Sequence, residues 1–420
     1  MKLLASCGLA GIAAAAIFWQ VQAPPAYFQN ASAYVFGPVP AAMSAPADGE
    51  LGRMVSRTGL TLPGHDDVLL QEHLGRVFVT SRDQWLWQVD LKTGVAEHFV
   101  QMPMSPHGGR VLPGDDDKLL ICNSRLDDEQ YSDGVESGVY EVTISTKKIR
   151  PLFLRVPLPP LARAAVNGNQ GEVFSEQTFP AVMLQSLNAT NSRAIAFCND
   201  LDVSADGQRV YVSEPFDYVH AAAGTGAIPE AITLGAHGRI WLFDRSKQTA
   251  RLIAQGFTFA DGILIEPKPD SAEQSVLITE TTKSRILRLN FAGVKAGTDE
   301  VLWENLPGLP DGLERDADGR VWVALIKPRS KLASWMHANP WIKPLMLRLP
   351  HSLLPVPAQT GVLVFSADLK RVDFYSMYEG KAVRDIAAVS PGKDKVYLSS
   401  FAHDNAGLIS MPYPMRNQSR

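Results

Sequence analysis

From Gly64 onward, short runs alternate apolar and polar residues with a period of two, broken by Gly, Asp and Asn turns. That is the pattern of half-buried strands. The stretch Cys198–Pro215, CNDLDVSADGQRVYVSEP, shows the unit: oxygen donors Asn199 and Asp200, a turn at Ser204–Gly207, and an alternating strand at Arg209–Ser213. The predicted strands fall into fours. Asp67–Leu70, Arg76–Thr80, Trp85–Asp90 and Ala96–Val100 make the first set, and Gly108–Leu112, Lys118–Asn123, Gly138–Thr143 and Lys148–Phe153 the second. A third runs from Asn199 to Ala254, a fourth from Gly262 to Glu304 and a fifth from Gly312 to Ser376. Val383–Val389, Lys395–Phe401 and Gly407–Pro412 give three strands of a sixth, and a segment before Gly64 can supply its fourth. Six four-stranded units predict an all-β, six-bladed β-propeller, closed by pairing of the two chain ends. A continuous sandwich competes, but the turns recur at a blade-like period.

Two insertions interrupt the repeat, at about 215–236 and 327–360, each between the second and third strands of its blade. The helical insertion in blade five carries Leu332–Leu349 (LASWMHANPWIKPLMLRL), which is apolar, aromatic and cationic, with Pro340 and Pro344 inside it. Two short helical pieces are expected, packed on the ring, forming a lid, or leaning on a membrane surface. At the N-terminus Lys2 precedes the apolar run Leu3–Trp19. Its length lies between a signal-peptide core and a full span, so residues 1–23 read as a signal anchor or a signal peptide, and the body as facing the periplasm, lumen or exterior. Residues 24–63 read as a linker and ring-closing segment, and 64–415 as the propeller.

Composition narrows the partners. Over 420 residues the net charge is −4, which supplies no broad basic field, so no nucleic acid partner is expected. Besides Cys7 in the apolar run, the cysteines are Cys122 and Cys198. They could pair in an oxidising compartment, but both lie in apolar strand-like segments, and buried free thiols are the preferred reading.

Candidate chemistry lies where first strands begin, because innermost strands line the channel of a propeller and their starts meet at one mouth. The starts are His65-Asp66-Asp67, Pro106-His107-Gly108, Asn199-Asp200, Asp261-Gly262 and Asp311-Gly312. Each Asp-Gly alone could be a simple turn. An Asp or Asn in the same register of four blades instead suggests oxygen donors for a hard cation, with Ca²⁺ suited better than Mg²⁺. His107 among them is a candidate general base, and His65 is expected on the opposite face.

These stretches, with AHGRIWLFDRSKQTARLIAQGFTFADGILI, ITETTKSRILRL, LPGLPDGLERDADGRVWVAL and NPWIKPLMLRLP, resemble the strictosidine synthase-like branch of the calcium-dependent six-bladed propellers. That branch includes adipocyte plasma membrane-associated protein and is related to paraoxonases, gluconolactonases and diisopropylfluorophosphatase. The resemblance implies a catalytic Ca²⁺ on Asn199 and Asp311, with Asp66 where relatives have Glu and Asp261 where they have Asn. It implies a possible second ion at Asp67 and Asp200. It matches His107 to a catalytic histidine and puts Ser124 where a second histidine stands. At the position of the strictosidine synthase Glu this chain offers Arg384 or Asp385, so carbon–carbon bond formation is not expected.

The expectation is therefore a calcium-dependent hydrolase of lactones or aryl esters, with His107 and Asp311 catalytic and a small hydrophobic ester or lactone as substrate. The alternatives are a membrane-tethered, calcium-stabilised binding propeller, with the membrane as partner through the N-terminal segment, and a non-hydrolytic enzyme of secondary metabolism.

Overall fold

A computed structural model describes residues 32–44, 50–59, 61–126, 131–160, 171–218, 223–266, 272–349, 356–402 and 406–414. The apolar run Leu3–Trp19 lies outside the described residues, and among those described no helix is long and apolar enough to cross a membrane. Six antiparallel sheets follow one another along the chain as blades, and a two-stranded sheet, Arg155–Pro157 with Ser192–Ala194, lies between the second and the third. Blade one is His65–Gln71, Arg76–Ser81, Trp85–Asp90 and Ala96–Gln101; blade two is Ser105–Val111, Lys118–Ser124, Gly138–Thr143 and Lys148–Phe153. Blade three is built on Leu201–Val203, Arg209–Glu214, Gly238–Asp244 and Thr249–Phe257, its outer strand extended by Glu172–Val173 and Val182–Met183. Blade four comprises Ala260–Ile265, Ser275–Glu280, Arg285–Asn290 and Thr298–Trp303, and blade five Gly308–Arg315, Val321–Pro328, Thr360–Phe365 and Val372–Tyr378. In blade six Val389–Pro391, Lys395–Leu398 and Leu408–Pro412 are joined by Ser56–Thr58, which pairs with the last of them. The predicted strand Val383–Val389 is shorter and later than its apolar pattern suggested. Its residues Val383 and Ile386 pack between blades five and six instead.

The core lies between blades. Trp241, Phe243, Phe153 and Cys198 are wholly buried between blades two and three, where Phe153 stacks on Phe243 at 4.1 Å. Cys122 and Cys198 are joined in a disulfide, which corrects the free-thiol reading. The neighbouring blades set their Cα atoms 5.1 Å apart, within bridging range, a tertiary distance that burial and strand pattern do not carry.

The first strands of blades one, two, four and five depart from regular pairing where they carry their polar residue. One extra residue is inserted at Asp66 in blade one, between the pairs His65–Ser81 and Asp67–Thr80. The same occurs at His107-Gly108, Asp261-Gly262 and Asp311-Gly312. These are β-bulges, which re-aim side chains and leave backbone groups to be satisfied otherwise. A Ser or Thr near the end of the second strand does so repeatedly: Asp67 N donates to Thr80 Oγ1 (2.9 Å), Asp200 N to Ser213 Oγ (3.1 Å), Gly262 N to Thr279 Oγ1 (2.8 Å) and Ala388 N to Ser399 Oγ (2.6 Å). Other backbone groups bond across to the next blade, as Gly108 N does to Asn199 O (2.9 Å) and Gly312 N to Ala387 O (2.8 Å).

This stitching requires glycine. A Cβ on Gly108 would run into Asp200 and one on Gly262 into the Asp311 carbonyl oxygen. The Asp-Gly pairs are therefore axial bulges and not free turns. Gly262→Ala is expected to lower stability by roughly 1–3 kcal/mol, the range for overpacking a close-packed site. Denaturant unfolding checks it, and an unchanged midpoint would show that blades four and five do not need this close approach.

Candidate metal and catalytic site on the ring axis

The bulges, with the start of blade three, bring six of the residues singled out from the sequence to one small cavity. Asp66, Asn199, Asp261 and Asp311 line it, with Asp67, Asp200, Gly108, Arg110 and Glu314. Its volume is about 20 Å³, room for one ion or one water and not for an organic substrate. Side chains separated by up to 245 positions thus meet because each blade delivers one from its innermost strand.

Burial and like charge govern their protonation. Burial pushes the Asp261 carboxyl up to about 7, with the Asp66 charge adding to it. Asp311 is raised well above the ordinary range by burial and then by Asp261 and Asp66. Asp261 and Asp311 share a hydrogen bond, and Thr281 Oγ1 donates to Asp261 Oδ2 at 3.0 Å. Asn199 Nδ2 bonds Asp261 Oδ1.

The donor chemistry fits a hard cation: three carboxylates and one carboxamide, with Asp261 and Asp311 pushed toward the protonated form by burial and by each other. The side chains are drawn onto one another here instead of opening round a point. Among the described residues no three His, Cys, Asp or Glu side chains form a ready metal-holding group. Rotating the Asn199 carboxamide by half a turn would present Oδ1 in place of Nδ2.

His107 stands beside this set and not in the cavity lining. Its Nδ1 is 3.5 Å from Asp66 Oδ2, and its buried Nε2 has no hydrogen-bond partner among the described residues. The ring packs on Phe197 at 4.9 Å, which packs in turn on Phe216 at 5.2 Å. His65 does turn elsewhere: Nδ1 meets Pro63 O at 3.0 Å, and burial lowers its pKa to about 4. Ser124 exchanges hydrogen bonds with the Cys198 backbone, a structural contact. Asp385 is held by Lys327 Nζ.

Asp67 and Asp200 lie one step further along the axis. Both are raised by burial and lowered by Arg110. Arg110 and Glu314 were not anticipated from sequence. The signal available was position, because Arg110 lies three residues after His107 and Glu314 three after Asp311, further down the same channel strands.

Both insertions lie on this face of the ring. Second strands run antiparallel to first strands, so they end where the bulges begin. The loop after Glu214 and the helices Lys331–Ala338 and Lys343–Met346 lean together as a cap. Lys343 Nζ donates to the carbonyls of Ser32 and Thr233 (2.5 and 3.3 Å), and Tyr34 N bonds His337 O at 2.9 Å.

A six-bladed propeller with acidic and amide side chains gathered at one axial mouth defines a class. Residues 76–335 match the SMP-30/gluconolactonase/LRE-like region, and the chain belongs to that family. It is 32% identical over 213 residues to the protein strictosidine synthase-like 10 of Arabidopsis thaliana, covering 49% of this chain and 54% of that one. It is 34% identical over 167 residues to the adipocyte plasma membrane-associated protein of Salmo salar, covering 37% of each. The matches thus span about half or less of those relatives' length. Among solved structures, a gluconolactonase from Xanthomonas campestris superposes with a TM-score of 0.52 at 12% identity, over 91% of this chain and 99% of that one, a likeness of fold alone.

The raised carboxyls make a prediction with a definite sign. A carboxyl with a raised folded value stabilises the fold below its unfolded value, near 3.8, and that contribution is lost as pH rises through about 7. In chelator, the melting temperature should therefore fall between pH 5 and pH 8, and Asp261→Asn should flatten that fall. A pH-independent melting temperature in the unsubstituted chain would contradict the crowding.

Proposed function

We propose that the chain is a calcium-dependent hydrolase of lactones or aryl esters working at the axial mouth. The observation that carries the reading is the convergence of Asp66, Asn199, Asp261 and Asp311, with His107 alongside. These four would hold Ca²⁺, and the ion when bound supplies Lewis acidity to a carbonyl oxygen. His107 has the geometry of a base: Asp66 attends one ring nitrogen, leaving Nε2 to take a proton from an attacking water. Asp311 offers the other route: its carboxylate would attack the carbonyl carbon, the C–O bond to the alkoxide or aryloxide would break with that group taking a proton from water, and a second water would cleave the resulting anhydride to release the acid and restore the carboxylate. Phe197 and Phe216 give the neighbourhood of His107 an apolar wall, which suits a hydrophobic acyl group or ring. Membership of a gluconolactonase-like family supports a lactonase over other ester chemistry.

The test is a panel of lactones, aryl esters and phosphotriesters with added calcium. Chelation should abolish turnover, Asn199→Ala should lose both metal and activity, and His107→Gln should cut turnover by about 10²–10⁴-fold with metal retained. Full activity in His107→Gln would remove it as the base.

One observation favours a second reading, a membrane-tethered binding propeller. The cap exposes Leu332 (50%), Trp335 (48%) and Trp341 (68%), with Val35 (76%) nearby on the segment that Ser32 ties to it. Between Asp318 and Asp368 there is no carboxylate side chain and there are six Lys and Arg. Aromatic rings beside cationic residues suit an anionic lipid surface. The double substitution Trp335→Ser and Trp341→Ser should weaken binding of the full chain to phosphatidylglycerol vesicles without altering hydrolysis. Unchanged vesicle binding would remove the cap from the lipid contact, and vesicle binding with no hydrolysis on the panel would favour the scaffold.

A further inference from the structure

The family resemblance implies a second cation on Asp67 and Asp200, but the residues there are already engaged. Asp67 Oδ1 accepts from Val68 N at 2.7 Å, and Oδ2 from Gly109 N at 3.1 Å and Arg110 Nη1 at 3.4 Å. Asp200 Oδ1 accepts from Leu201 N at 2.8 Å and Oδ2 from Ile263 N, in the next blade, at 3.0 Å. Asp202 repeats the pattern, accepting from Val203 N at 2.9 Å and Ile265 N at 2.7 Å. These carboxylates spend their lone pairs joining one blade to the next.

Arg110 reaches across the axis among them. From blade two its guanidinium meets Asp67 of blade one (3.4 Å), Asp202 of blade three (3.3 Å) and Glu314 of blade five (2.8 Å), and it also donates to Gly109 O at 2.8 Å. Arg110 and Glu314 line both the small upper cavity and a second one of about 210 Å³ further down the channel. The pair therefore stands as a partition between the two. A planar guanidinium with several donors can serve carboxylates from different blades at once, as a divalent ion does.

We infer that Arg110 takes the place of the second cation, so that the axis holds at most one divalent ion, in the upper site. The arginine supplies the positive charge that ties blades one, two, three and five, and it does so without metal in the medium. This concerns the lower carboxylates and stands whether or not the upper site performs hydrolysis.

The experiment is metal analysis of the full chain equilibrated with calcium, for the unsubstituted protein, Arg110→Met and Arg110→Lys. Arg110→Met should bind one more ion per chain than the unsubstituted protein, and Arg110→Lys should not. If the unsubstituted chain binds no ion and Arg110→Met binds one, the inference stands and the calcium-hydrolase reading fails. Two ions in the unsubstituted protein, or an unchanged count in a folded Arg110→Met, would overturn the inference. Should Arg110→Met not fold in chelator, recovery of its melting transition with millimolar calcium supports the substitution of ion for arginine. Failure of calcium to restore it counts against.

Discussion

The propeller depends on how closely its innermost strands approach one another. Six sheets twisted about one axis leave little room at the hub, and the chain meets that constraint with a bulge at Asp66, His107, Asp261 and Asp311 and a glycine after the last three of these. The bulge frees backbone N–H groups from the ladder, and a hydroxyl from the adjacent strand or a carbonyl from the next blade accepts them. The same bend carries Asp66, Asp261 and Asp311 toward the centre. The architecture of the ring and the geometry of the candidate site thus have one origin.

That shared origin explains the electrostatics. Carboxyls gathered where backbones crowd are withdrawn from water, which raises Asp261 and Asp311 and favours their neutral form. The chain answers this crowding in two ways along a single axis. Near the mouth the donors Asp66, Asp261 and Asp311 meet His107, Asn199, Thr281 and each other; deeper in, Asp67 and Asp202 meet Arg110. The upper group has the chemistry of a site for an exchangeable ion, and the lower group that of a fixed strut.

The blade count and the residues at the mouth were legible because both repeat: alternation of period two marks strands, and an acidic or amide residue recurs at their starts. Less legible was the role of the glycines, since Asp-Gly reads equally as a hairpin turn, and only the neighbouring blade shows why no Cβ fits. Val79-Thr80-Ser81, Val212-Ser213-Glu214, Ile278-Thr279-Glu280 and Leu398-Ser399-Ser400 form a second repeat in plain view. Their hydroxyls pass as ordinary strand residues until the bulge they serve is known. The Cys122–Cys198 bond and the arginine strut were hidden for one reason: each joins different blades, and spacing along one chain does not reveal which blades face each other at which height.

The short strand Ser56–Thr58 has a consequence for how the molecule is assembled. Ser56 and Ser410, whose hydroxyls lie 3.1 Å apart, are separated by 354 positions, so closing this ladder costs least once the intervening blades are ordered. The seam is therefore a late event in folding. With only three residues, all exposed, it is also the place where the ring reopens at least cost. Once opened, it bares the edge of Leu408–Pro412 to any other strand. The same latch that completes the circle thus sets the molecule's exposure to strand exchange between copies.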